Sequence, residues 1–168
     1  QVNAASPVDF SSLVEQVSPA VVSVNVVKKM TQEELLQQQV PEILRRFFGN
    51  QVIIPQQQGP QEKTAYGSAF FISKDGYLLT NRHVIDDASR ITITLNDRRE
   101  LDATLVGSDE RTDIALLKVN GASFPELKIG DSNQLKVGEP VLAIGSPFGF
   151  DYSASAGIVS AKLYLIHL

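Results

Sequence analysis

Ala69-Phe70-Phe71-Ile72-Ser73-Lys74-Asp75-Gly76-Tyr77-Leu78-Leu79-Thr80 sets two short apolar runs on either side of a Ser-Lys-Asp-Gly turn signal. Runs this short, rich in aromatic and branched residues and bounded by turn formers, predict strands; a helix needs about ten residues to show its period. The rhythm continues outward from there. Ile91–Leu95, Glu100–Val106, Ile114–Val119, Val141–Ile144 and Ala156–Ser160 are further strand candidates, punctuated by Asn96-Asp97, Gly107-Ser108-Asp109 and Asn120-Gly121. Many short strands with turn signals between them and no long helix predict an all-β barrel or sandwich.

Toward the N-terminus the pattern changes. Phe10, Leu13, Val14 and Val17 recur at helical spacing between Asp9, a candidate N-cap, and Pro19, a stop, so a short helix is expected within an N-terminal segment 1–17. Ala20–Val27 then alternates in the manner of a strand with one buried face. Residues 28–63 carry Gln37-Gln38-Gln39, Gln56-Gln57-Gln58 and three prolines, and read as a long loop between strands, either a functional one or a disordered insertion. Within it, Phe47-Phe48 is unexpected for a purely solvated insertion and suits docking on a neighbouring subunit.

Composition narrows the class. At 168 residues, 43% hydrophobic and 20% charged, the chain suits one globular domain with a full core. A net charge of −4 and a pI near 5.1 argue against a nucleic acid partner. The chain has no cysteine, which rules out a disulfide, a thiolate nucleophile and a Cys-based zinc site. No metal or other cofactor is called for. No apolar run approaches the ~18 residues that suggest a membrane span. The start, Gln1-Val2-Asn3-Ala4-Ala5-Ser6-Pro7, lacks the basic and apolar regions of a signal peptide and reads as a mature or trimmed N-terminus.

Two side chains stand out against this background. His83 follows the strand Tyr77–Thr80 where the chain leaves the sheet through a turn, and Asp113 opens the strand Ile114–Val119. A carboxylate accepting from Nδ1–H fixes the imidazole tautomer and leaves Nε2 free to take a proton from a hydroxyl. On identity alone, however, a His closing a strand and an Asp opening one are ordinary structural residues.

The wider run of motifs gives them context. Gly67-Ser68-Ala69-Phe70-Phe71-Ile72, Asp75-Gly76-Tyr77-Leu78-Leu79-Thr80-Asn81-Arg82-His83-Val84 and Asp109-Glu110-Arg111-Thr112-Asp113-Ile114-Ala115-Leu116-Leu117-Lys118-Val119 come first. Leu127-Lys128-Ile129-Gly130-Asp131-Ser132, Ala143-Ile144-Gly145-Ser146-Pro147-Phe148-Gly149 and Ser155-Ala156-Gly157-Ile158-Val159-Ser160-Ala161 follow. Together these resemble the HtrA (Deg) family of chymotrypsin-like serine proteases. The resemblance implies two six-stranded β-barrels with the active site between them. The first barrel would fill 18–133, and the second would begin near Gln134 and be only started within 134–168, with no PDZ domain. It implies His83 as general base and Asp113 as the carboxylate that orients it. It also implies a periplasmic protein, built on trimers, that degrades or holds unfolded and misfolded proteins. Three departures stand beside the match. Arg82 replaces a small or amide residue and would set a guanidinium beside the imidazole, Ala69 replaces a glycine, and Leu163–Leu168 does not continue the family pattern. His167 falls in that tail and is given no role.

The family's third catalytic group is a serine in a Gly-Asn-Ser-Gly-Gly motif downstream of the segment matching Ser155–Ala161, and no such motif occurs in the 168 residues. Ser153, Ser155 and Ser160 lack the glycine-rich turn that presents backbone N–H groups to an oxyanion. Ser68 and Ser73 read as hydrogen-bonding edge residues. The expectation is therefore the N-terminal part of a serine endopeptidase, inactive by itself. The alternative is a protease-dead chaperone-like or regulatory subunit.

Overall fold

The computed structural model describes residues 8–29, 62–146 and 152–162. The expectations for Phe47-Phe48, His167 and the tail Leu163–Leu168 lie outside the described residues. Among these residues six strands, β1 (Val21–Lys29), β2 (Glu62–Phe71), β3 (Tyr77–Asn81), β4 (Ala88–Thr94), β5 (Glu100–Asp109) and β6 (Ile114–Val119), close into one antiparallel barrel in the order β1-β2-β3-β6-β5-β4, and β7 (Pro140–Gly145) and β8 (Ser153–Ile158) form a separate two-stranded sheet. The fold is all-β, as the strand rhythm predicts.

Alternation builds the barrel interior. In β1 (Val21–Lys29), Val22, Val24 and Val26 all point inward and are fully buried. In β6 (Ile114–Val119), Ala115, Leu117 and Val119 do the same, while Leu116 and Lys118 face outward. Phe71 closes β2 (Glu62–Phe71) inside this wall and stacks on Phe124 with ring centroids 4.5 Å apart. Burying a side chain of that size contributes about 1.5–3 kcal/mol. The hairpin from β2 to β3 (Tyr77–Asn81) turns at Gly76, whose φ of +100° suits only glycine; a Cβ there would lie 2.5 Å from the carbonyl oxygen of Val119. Ser73 Oγ accepts from the Tyr77 N–H at 3.1 Å, the edge role expected of it.

Several expectations shift. Asp9 lies one residue outside the cap of α1 (Ser11–Val17), for which Phe10 is the N-cap; its carboxylate nonetheless accepts from the Ser11 N–H and hydroxyl. The loop is shorter than 28–63, because Lys28 pairs with Lys63 and Lys29 with Glu62 in the β1–β2 ladder. Backbone pairing needs no apolar side chain, so polar residues extend a strand that hydropathy ends early. Nor does β1 bury only one face: Val21 and Ser23 on its outer side are buried too, where β7 (Pro140–Gly145) packs against it. Gly107-Ser108-Asp109 is strand and not turn, since β5 runs Glu100–Asp109 through a register shift between Leu105 and Gly107. That bulge leaves Val106 unpaired and adds twist to the strand. β4 (Ala88–Thr94) starts before Ile91, and β8 (Ser153–Ile158) starts before Ala156.

Candidate active site

His83 and Asp113 arrive from adjacent strand ends. β3 and β6 pair from Tyr77↔Lys118 to Asn81↔Ile114, so the ladder ends with the residue before Arg82 opposite the residue after Asp113. There β3 passes into α2 (Arg82–Ile85), a single turn carrying His83 where the sequence suggests only a turn. In the turn from β5 (Glu100–Asp109) into β6, Asp109 Oδ2 accepts from the Thr112 N–H at 2.9 Å and the Thr112 hydroxyl at 2.6 Å. The chain then reaches Asp113 in the left-handed region, at φ +55°. Asp tolerates that conformation better than most residues, and such strain gathers at functional sites.

Asp113 caps α2 from outside. A helix start leaves its first N–H groups without intrahelical partners. The Arg82 N–H donates to the Asp113 carbonyl at 3.0 Å and the His83 N–H to Asp113 Oδ1 at 2.9 Å. Oδ2 lies 2.6 Å from His83 Nδ1. The same carboxylate thus holds both the backbone and the ring of His83. These hydrogen bonds, the backbone N–H of His83 first and its ring N–H next, hold the Asp113 carboxyl below its ordinary value of 3.8. An ionised carboxylate only accepts, so the hydrogen in the 2.6 Å contact sits on Nδ1, and in a neutral ring Nε2 then carries the lone pair. Among the described residues Nε2 has no hydrogen bond, and the side chain is 71% exposed. Such a ring is held in one orientation with its far nitrogen open to solvent.

Because the folded-state value for Asp113 is depressed, the stability it contributes is fully present above 3.8 and is lost as the pH falls through the lower folded value. The Asp113 carboxyl ¹³C resonance should titrate with a midpoint below 3.8, and His83→Ala should raise that midpoint.

Arg82 does not crowd the imidazole with an unpartnered charge. Its guanidinium lies 3.7 Å from both Asp86 and Glu110, two acidic neighbours that share it. Ser68, expected as an edge residue, accepts from the Ser146 N–H at 2.9 Å through Oγ, and its carbonyl accepts from Thr80 Oγ1 at 2.8 Å. It ties the barrel to the end of β7. Ser153 and Ser155 lie exposed in β8, which pairs with β7 alone. Beside the site a cavity of about 290 Å³ is lined by Val21, Ser68, Leu79, Asn81, Ile114 and Ile144. A second, of about 340 Å³, sits at the far end of β6 near Asn120 and Phe124. Among the described residues no cluster of three His, Cys, Asp or Glu side chains is placed to hold a metal ion. No helix among them is long and apolar enough to cross a membrane.

Two neighbours of the pair had no assigned role in the sequence. Asn81 donates to Asp113, and Gly67 makes room for Val84 of α2. Both sit inside the motifs quoted above, but only the fold shows what they touch.

A closed antiparallel barrel that sets a histidine beside an aspartate from a paired strand is an arrangement that a trypsin-like peptidase domain can supply. Residues 67–164 match the family model of the trypsin-like peptidase domain, and the chain belongs to that family. The probable periplasmic serine endoprotease DegP-like of Hahella chejuensis is 51% identical over 161 residues, covering 92% of this chain and 34% of that protein. The protein of the same description from Pseudomonas putida (strain GB-1) is 52% identical over 166 residues, again 92% of this chain and 34% of the relative. The chain thus spans about a third of the length of these curated relatives. Among solved structures, an HtrA-type protease with a decapeptide superposes with a TM-score of 0.71 at 36% identity, covering 94% of this chain and 47% of the other.

Proposed function

We propose that the chain is the N-terminal part of the protease domain of an HtrA-type serine endopeptidase that degrades unfolded proteins in the periplasm. The observation that carries this reading is the 2.6 Å contact between His83 Nδ1 and Asp113 Oδ2, which leaves Nε2 unpartnered among the described residues. His83 acts as general base and Asp113 orients it. Residues 18–133 form the first barrel and 134–168 begin the second, with the β7–β8 hairpin as its first strands. The periplasm is the compartment in the names of the relatives. Trimer-based assembly is the expectation that the resemblance supplies. The serine and the amides of the oxyanion hole belong to a segment of the intact protease outside these 168 residues. Without them an oriented base has no hydroxyl to activate.

The test uses the intact protein that contains this segment. It should degrade unfolded casein and take up a fluorophosphonate probe, and His83→Ala should remove both activities. The 168-residue chain alone should do neither. Casein cleavage by the His83→Ala protein at the parental rate would refute the assignment of the base. Intact protein that binds casein and never cleaves it would favour the chaperone-like alternative.

A further inference from the structure

Asn81 has an unusual allegiance. It is the N-cap of α2, with φ −81° and ψ 140°, and asparagine is among the side chains that best cap a helix. Yet its side chain makes no cap hydrogen bond. Its Nδ2 instead reaches across to Asp113, donating to the carbonyl oxygen at 3.2 Å and to Oδ2 at 3.3 Å. The capping that Asn81 forgoes is done by Asp113 itself, through the Arg82 and His83 N–H groups. We propose that Asn81 is a positioning residue, whose amide brackets the Asp113 carboxylate in the plane that meets His83 Nδ1.

The chemistry of the bracket is specific. A primary amide carries two hydrogens, and one for each acceptor ties the carboxylate to its own backbone carbonyl. Rotation of the Asp113 side chain would break the bond to Oδ2, the oxygen that also faces His83 Nδ1. The bracket acts where the backbone is in the left-handed region, so the ladder alone does not dictate where the side chain points. Fold stability has little stake in it. Asn81 is exposed, and the β3–β6 ladder passes through its backbone whatever the side chain.

The inference deepens the proposed role of the pair as base and orienting carboxylate, and its first test does not depend on that role. In the 168-residue chain, Asn81→Ala should lower the melting temperature by no more than a few degrees. It should speed exchange of the His83 Nδ1 proton with water at least about tenfold, the consequence of losing one hydrogen bond to a charged group. The Asp113 carboxyl midpoint should rise toward 3.8. In the intact protease the same variant should lower kcat about tenfold and leave KM for a short peptide unchanged. Exchange and midpoint equal to the parent would overturn the proposal, as would a melting temperature lower by ten degrees or more, on the order of a core substitution, which would mark Asn81 as a fold residue. An intact parent with no hydrolytic activity would refute the catalytic reading of the pair, and the exchange measurement would still decide the role of Asn81.

Discussion

Asp113→Asn in the intact protease should cut the rate of casein cleavage about 10⁴-fold, the effect of the same substitution in a Ser-His-Asp triad, and leave KM close to the parental value. The geometry supplies the reason. Asp113 uses Oδ1 for the His83 N–H at 2.9 Å and Oδ2 for Nδ1 at 2.6 Å. An asparagine that keeps its oxygen on the backbone N–H turns its NH₂ toward the ring. Nδ1 must then accept, the hydrogen moves to Nε2, and that nitrogen has no lone pair for a hydroxyl proton. The flipped amide saves the tautomer but sets NH₂ against the His83 N–H, and α2 loses part of its cap. In the first orientation the new NH₂ also meets the Asn81 amide, which donates to that position at 3.3 Å. Neither orientation satisfies all three donors. Activity within tenfold of the parent would mean that Asp113 does not set the tautomer.

Gly67→Ala should lower the same activity about 100-fold, as a displacement near 1 Å does at a reacting centre. A Cβ on Gly67 would lie 2.7 Å and 2.9 Å from the two methyl carbons of Val84, the residue after His83. One side has to yield. β2 is held by its ladder, in which Gly67 pairs with Val24 of the buried β1. Val84 is β-branched and stiff at χ1, so its methyls cannot simply swing aside. What gives is α2, one turn of helix tied mainly by the Asp86 N–H to Arg82 and by the cap from Asp113. His83 then leaves its place over the carboxylate. Removing the methyls should relieve the clash, so Gly67→Ala with Val84→Ala should recover much of the lost activity. Such non-additivity is the signature of direct contact. A Gly67→Ala protein with full activity, or a double variant no better than the single one, would contradict this.

How far the sequence carries the fold depends on what the residues in each strand are asked to do. β6 is read at its true bounds because Ala115, Leu117 and Val119 alternate with outward residues in the period of a strand. The start of β2 is missed because Glu62-Lys63-Thr64 face solvent, and pairing through the backbone leaves no mark in hydropathy. The end of β5 is missed for a related reason: Gly107 and Ser108 look like a turn but continue the ladder past a bulge. At the site, His83 and Asp113 are legible as residue types at strand ends. The trans cap from Asp113, the bracket from Asn81 and the space left by Gly67 are contacts between segments, and no local pattern encodes which segment a side chain will meet.

The proposed base depends on Asp113 holding the neutral His83 ring in the Nδ1–H tautomer with Nε2 bare. Nitrogen-15 NMR of the histidine ring in the 168-residue chain reads this directly, at a pH where the imidazole is neutral. The spectrum should show a protonated Nδ1 coupled to a slowly exchanging, strongly downfield proton, and an Nε2 with the shift of an unprotonated nitrogen. A ring protonated at Nε2, or one averaging freely between tautomers, would contradict it.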